Sequence, residues 1–149
     1  MKKSKFIVLA APSGSGKTTL VNKLLTEVKL NLEFSISATS RKPRKDEVNG
    51  KNYFFLSKDD FLKKIENNEF LEWEEVYKDA FYGTLISELE VSTSKNIIFD
   101  IDVVGGLNIK KKFPNQTLTI FIKPPSISEL ELRKKKRKSE TDSSIKIRI

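Results

Sequence analysis

Hydrophobic and polar positions divide the chain into short blocks. Phe6-Ile7-Val8-Leu9 is an unbroken apolar run, the pattern of a parallel strand covered on both faces. A glycine- and serine-rich stretch follows at 11–18, and then Leu20, Val21, Leu24, Leu25 and Val28 recur at helical spacing. Strand, glycine loop and amphipathic helix therefore follow without a gap. Residues 32–39 alternate polar and apolar, and Asn49-Gly50 between β-prone flanks predicts a hairpin. Tyr53-Phe54-Phe55-Leu56 reads as an aromatic strand. Ser57 with Asp60 predicts a capped short helix that buries Phe61, Leu62 and Ile65, and Leu71-Glu72-Trp73 reads as a short strand. A helix is expected over 85–95 and buried strands over 96–102 and 118–122. Ser126 with Glu129 predicts the start of a helix that runs into a basic cluster, and 145–149 alternates like a strand. The pattern as a whole predicts an α/β protein: a parallel-sheet core between helices, interrupted by a β-rich stretch at about 34–84.

The 149 residues are one ordinary domain's worth, and ten Phe supply large side chains for a core. The absence of Cys excludes a disulfide scaffold, a thiolate zinc site and a cysteine nucleophile. The absence of His excludes a Ser-His-Asp hydrolase, an HExxH protease and an imidazole base. What remains is Lys, Arg, Asp, Glu, hydroxyls and a hard metal ion with oxygen ligands, an inventory suited to phosphoryl transfer. Most of the net charge of +8 sits in Arg133-Lys134-Lys135-Lys136-Arg137-Lys138. Such a run expects an anionic partner, either nucleotide phosphates or a nucleic acid. No apolar stretch reaches the length of a membrane span. The N-terminal apolar segment, 6–11, is shorter than a signal-peptide core and runs straight into the glycine loop. The expectation is a soluble, cytoplasmic protein.

Ala11-Pro12-Ser13-Gly14-Ser15-Gly16-Lys17-Thr18 matches the phosphate-loop pattern GxxxxGKS/T except at its first position, where Ala11 stands. Glycines let successive backbone N–H groups turn inward to phosphate oxygens, and the following helix adds the positive end of its dipole. The phosphate cradle is expected from Ser13, Gly14, Ser15, Gly16, Lys17, Thr18 and Thr19. Lys17 would supply charge to the β- and γ-phosphates, and the Thr18 hydroxyl would ligate Mg²⁺. A dinucleotide fingerprint fails because Thr19 stands where it needs glycine. An acid at the end of a neighbouring strand must help to hold the metal, and Asp100 supplies it. Asp102 lies on the same strand face, or else merely starts a turn. Asp102-Val103-Val104-Gly105 also matches the DxxG element of GTP hydrolases, but the NKxD guanine-reading motif of that class is missing.

Arg41 and Arg44 flank Pro43, with Tyr53 and Tyr82 as candidate companions. Arginine forks bind phosphate bidentately. By composition alone, two solvated surface arginines account for the same residues. A longer pattern changes that balance: residues 34–44 (FSISATSRKPR), Glu47-Val48-Asn49-Gly50-Lys51, Tyr53, residues 67–73 (NNEFLEW), Phe81-Tyr82-Gly83-Thr84, Phe99-Asp100-Ile101-Asp102 and Pro124-Pro125-Ser126. Together with the spaced arginines Arg133, Arg137 and Arg148, this series resembles the guanylate kinase family across nearly the whole chain.

The resemblance implies a P-loop kinase that moves the γ-phosphoryl of ATP to GMP or dGMP, with Mg²⁺. It implies a three-layer core from 1–33 and 85–149, an inserted GMP-binding region at 34–84 and a lid at about 127–145. Arg41, Arg44, Tyr53 and Tyr82 would hold the GMP phosphate. Ser37, Glu72, Thr84 and Asp102 would read the guanine. Arg133, Arg137 and Arg148 would neutralise the transferring group, the remaining lysines of the cluster would be solvated lid surface, and 142–149 would begin a helix. Guanine offers adjacent N1–H and N2–H donors that one carboxylate accepts together, and a site built on such bonds discriminates by ~10⁴–10⁵. Thr84 stands where Ser is common in the family, and family members continue past the position of Ile149. The alternative is a non-catalytic guanylate-kinase-like module that docks phosphopeptides; intact Lys17 and Thr18 argue against it. A nucleic-acid binder built on the basic run is a third, weaker reading.

Overall fold

The computed structural model describes residues 4–90 and 94–136. Four strands, β1 (Phe6–Ala10), β2 (Leu32–Ser35), β7 (Asn96–Ile101) and β8 (Thr117–Phe121), form a parallel sheet in the order β2-β7-β1-β8. Successive residues of a strand face opposite sides. Phe6, Val8, Ile97, Phe99 and Ile101 therefore pack with Ile109 of helix α4 (Val103–Lys112), while Leu9 and Ile98 pack with Val21 of helix α1 (Lys17–Leu25). Helices on both faces explain why β1 and β7 read as unbroken apolar runs. β8 differs: it is an edge strand, and Leu118 and Phe121 are each 57% exposed. The strand the sequence predicts is present in the parallel sheet and meets helix α4, but among the described residues only Thr117 of it is buried.

The second sheet runs β4-β3-β6-β5, from β3 (Ala38–Thr39), β4 (Phe54–Phe55), β5 (Phe70–Tyr77) and β6 (Ala80–Leu85). Helix α2 (Lys58–Glu66) covers it. Ser57 caps α2 as predicted, its Oγ accepting the Asp60 N–H at 3.0 Å. Phe61 is fully buried and stacks on Phe70 with ring centroids 4.4 Å apart. Truncating such a side chain to Ala costs about 3–5 kcal/mol.

The sequence misplaces several boundaries. Phe34 and Ser35, assigned to the inserted stretch, belong to β2 of the parallel sheet. The change of sheet comes at Ile36-Ser37, where the Ile36 N–H donates to Glu88 Oε2 at 2.7 Å. Asn49-Gly50 makes no hairpin. Gly50 (φ +75) turns the chain, its N–H donating to the Tyr53 carbonyl at 2.8 Å. The strand after it then pairs with β3 in parallel. An Asn-Gly turn dictates local backbone only, and the partner strand is a tertiary choice. The helix expected over 85–95 starts later, at Ser87 (α3, Ser87–Glu90), because Leu85 still pairs with Phe70 in the β5–β6 ladder; residues 91–93 lie outside the described residues. The short strand at Leu71-Glu72-Trp73 extends to Tyr77. Helix α5 (Ile127–Lys136) begins as the Ser126–Glu129 pair predicts, with the Glu129 N–H on Ser126 Oγ at 3.1 Å. The strand-like stretch 145–149, the helix implied for 142–149, and Arg137 and Arg148 lie outside the described residues.

Candidate functional site

The glycine loop leaves the C-terminal end of β1 and enters α1. Gly14 and Gly16 both have φ +88, a conformation that favours glycine, whereas Ala11 is not among the positive-φ residues. The alanine at the first loop position is therefore accommodated without backbone strain. β1 and β7 are parallel neighbours with Leu9 opposite Asp100, so the loop and the acid emerge at the same sheet edge. Lys17 Nζ lies 2.8 Å from Asp100 Oδ1 and donates to the Ile101 carbonyl at 2.9 Å. Thr18 Oγ1 donates to Asp100 Oδ2 at 3.4 Å. Lys17, Thr18 and Asp100 thus converge as expected. Ser13, Gly14, Gly16, Lys17 and Thr18 line a cavity of about 940 Å³, while Ser15 and Thr19 do not.

The far wall of the same cavity includes Ser37, Arg44, Tyr53, Glu72, Tyr82 and Asp102. Glu72 is 8% exposed, and its Oε1 accepts the Thr84 hydroxyl at 2.7 Å. Burial, aided by the Asp102 charge, pushes the Glu72 carboxyl above its ordinary range against the opposing Thr84 bond. Thr84 is fully buried and does not line the cavity, so it acts on Glu72. Asp102 caps α4, its Oδ1 accepting the Gly105 N–H at 2.7 Å. A Cβ on Gly105 would lie 2.6 Å from Glu72 Oε2. Glycine there lets the first turn of α4 close on the carboxylate.

Arg41 is held from several sides. Its Nη1 and Nη2 both donate to Glu47 at 2.9 Å, its Nε donates to the Tyr82 hydroxyl at 3.2 Å, and its Cζ lies 5.4 Å from the Tyr53 ring centroid. Burial opposes the Arg41 charge, but Glu47 and Tyr82 outweigh it and raise its pKa. Burial also works against the Glu47 carboxylate, yet the Arg41 fork and the Arg44 N–H hold its pKa below the ordinary value. Arg41 is not part of the cavity lining, whereas Arg44 is. The two arginines that read alike in the sequence therefore occupy different positions.

On the lid side, Arg133 Nε bonds Glu129 Oε1 at 2.8 Å, and its Nη1 reaches the Gly14 carbonyl at 3.5 Å. Lys134, expected on solvated surface, is 2% exposed and packs against Gly14. The α5 surface that meets the loop takes the lysine stem inward, which the charge run alone does not reveal. Sequence reasoning also missed Lys51 and Asn52 on the cavity wall, and Glu74. Glu74 had a signal: it lies two positions from Glu72 on one strand, hence on the same face. Burial first, then a hydrogen bond to Asp102 and the charges of Asp102 and Glu72, push the Glu74 carboxyl up to about 7.

A parallel sheet whose first strand feeds a glycine loop and helix, with lysine, threonine and an acid from the adjacent strand converging at one edge, defines a P-loop nucleotide-binding α/β protein. The guanylate kinase family model matches residues 3–149. A guanylate kinase from Porphyromonas gingivalis is 53% identical over 148 residues, covering 98% of this chain and 79% of the relative. One from Salinibacter ruber is 43% identical over 150 residues, again across 79% of the relative. The crystal structure of guanylate kinase from Anaplasma phagocytophilum aligns with a TM-score of 0.74 at 32% identity, over 92% of this chain and 68% of that one. The chain belongs to the guanylate kinase family.

Proposed function

We propose that the protein moves the γ-phosphoryl of ATP to GMP or dGMP, giving ADP and GDP or dGDP. One continuous cavity supports this most directly, because it joins the glycine loop to the buried Glu72 carboxylate. ATP phosphates take the loop amides and Lys17. Arg44, Tyr53 and Tyr82 face the acceptor phosphate, with Arg41 and Glu47 bracing that wall. Glu72 accepts N1–H and one N2–H of guanine, and Ser37 donates to O6. The second N2–H falls to Asp102. Adenine has an acceptor at N1 and no 2-amino group, so it leaves Glu72 facing a repelled edge.

Mg²⁺ fits the residues present: Thr18 Oγ1 and Asp100 Oδ2 are hard oxygen donors on one edge of the cavity. No cluster of three or more acidic residues that could cage a metal occurs among the described residues. This suits an ion held by one or two protein oxygens and by the nucleotide itself. When bound, Mg²⁺ supplies charge neutralisation at the β- and γ-phosphates. The chain's own contribution is alignment: Lys17 and the loop hold the donor, the far wall presents the acceptor, and Arg133, Arg137 and Arg148 neutralise the group in transit. No general base is needed, since the acceptor phosphate is already ionised near neutral pH. Among the described residues, no helix is long and apolar enough to cross a membrane, and we place the activity in the cytoplasm.

A coupled assay of ADP release with GMP, AMP and UMP as acceptors tests this reading. Turnover confined to GMP and dGMP is expected. Equal turnover with AMP would remove the guanine assignment, and no turnover with any acceptor would favour the binding-module alternative.

A further inference from the structure

The chain passes between its two sheets twice. It leaves the parallel sheet after Ser35 and enters β3 at Ala38; it leaves the second sheet after Leu85 and rejoins the first at Asn96. One side chain ties the first crossing to the second. Glu88 of α3, 52 residues further on, accepts the Ile36 N–H on Oε2 at 2.7 Å. Ile36 and Ser37 are the link itself, outside both strands.

Helix α3 is a fixed post for this bond. The Ile86 N–H just before it donates to the Glu69 carbonyl at 2.9 Å, and Leu89 packs against the core cluster that includes Leu71 and Phe99. On the other side of the link, the Ser37 carbonyl accepts the Phe54 N–H of β4 at 2.9 Å. Ser37 is therefore held on both sides, through its neighbour's N–H and through its own carbonyl, and it lines the cavity.

We propose that Glu88 is a positioning residue for base selection: by holding the Ile36 N–H it fixes the backbone at Ser37 and so aims the Ser37 hydroxyl at O6 of the purine. This rests on the guanine pocket set out above and adds to it a residue that does not itself line the cavity. Each peptide unit of the link carries two soft dihedrals. A drift of about 1 Å takes a hydroxyl out of hydrogen-bond range of a carbonyl. A carboxylate on a backbone N–H makes a charge-assisted bond, shorter and stronger than a neutral one. Burial works against that charge and lifts the Glu88 carboxyl above its ordinary value; the Ile36 bond opposes the lift, and the Glu33 charge adds to it.

The discriminating probe is 6-thio-GMP, which keeps the guanine N1–H and 2-amino group but presents sulfur, a weak acceptor, in place of O6. Glu88→Ala and Glu88→Gln are assayed with both acceptors at saturating ATP. Glu88→Ala is expected to raise KM for GMP about fivefold, while KM for 6-thio-GMP and KM for ATP stay within about twofold. Glu88→Gln keeps a carbonyl acceptor for the Ile36 N–H and is expected to restore most of the GMP preference. In a Ser37→Ala background, Glu88→Ala is expected to add nothing further to KM for GMP. Equal weakening of GMP and 6-thio-GMP, or a full additional loss in the Ser37→Ala background, marks a merely structural brace and overturns the proposal. A Glu88→Gln variant that behaves like Glu88→Ala overturns it too. Thermal melts accompany each variant; if Glu88→Ala does not fold, Glu88→Asp, which keeps the charge but draws the carboxylate back by one methylene, is expected to show the same rise confined to GMP. Unchanged GMP kinetics in Ser37→Ala alone would instead strike the pocket reading, so the two failures are distinguishable.

Discussion

The two ends of the cavity are built in different ways. The donor end comes from one contiguous stretch, 11–18, plus a single acid on the neighbouring strand. Much of its binding capacity is backbone N–H, oriented by two left-handed glycines and the start of a helix. The acceptor end is assembled from the β2–β3 link, the β3–β4 connection, β5, β6 and the cap of α4, and its binding capacity is side-chain carboxyls, hydroxyls and a guanidinium. Triphosphates need only anion recognition, which backbone can supply. Reading one base against another needs donors and acceptors at fixed points, which only packed side chains supply. The donor end should therefore fail through loss of one charge, and the acceptor end through small losses of geometry.

The largest test of this contrast is Lys17→Met. It removes the mobile ammonium beside Asp100 and is expected to lower turnover by ~10³ or more. Nucleotide titration should show ATP weakened far more than GMP. Next comes Glu72→Gln, which leaves the ATP side intact while kcat/KM for GMP falls about 10²-fold. Unchanged GMP kinetics in that variant would detach Glu72 from the base.

Gly105→Ala tests geometry without changing charge. The new methyl must displace the Glu72 carboxylate, whose oxygen lies 2.6 Å from the Cβ position. A rise in KM for GMP of about tenfold is expected, with KM for ATP constant. If GMP and ATP suffer alike, the helix start matters to the whole fold and not to the pocket alone.

The smallest effect is on stability. The Glu74 carboxyl is raised from 4.5 to about 7 in the folded protein, so its proton stabilises the fold fully only below about pH 4.5. That contribution is lost as pH rises through about 7. Melting curves across this window should show the native protein losing stability relative to Glu74→Gln, which cannot titrate. A constant difference in Tm would deny the shift.

Legibility followed the same division. The apolar run 6–9, the glycine loop and the helical spacing after it sufficed for β1, the loop's turn and α1, because each is a local pattern. The Ser57 and Ser126 caps were legible for the same reason. Asn49-Gly50 misled because a turn signal does not name its partner strand, and β4 pairs in parallel with β3. β8 was legible as a strand, but its place at the edge of the sheet among the described residues was not, because hydrophobicity alone does not distinguish an edge from a centre. Arg41 and Arg44 could be nominated together from their spacing and family likeness, but only packing turned one toward Glu47 and the other toward the cavity.

The sequence by itself determined the chemistry available: no imidazole or thiol, a phosphate loop, acids after an apolar strand, and enough arginine to bind phosphate. These are properties of residue type and near-neighbour spacing, and near neighbours are held by covalent geometry. The tertiary structure alone decided that Glu72, Glu74 and Asp102 meet, that Thr84 serves Glu72 from behind, and that Gly105 makes room for the carboxylate. β5, β6 and the start of α4, which carry these residues, are separate segments of the chain, so the distances between them depend on how those elements pack.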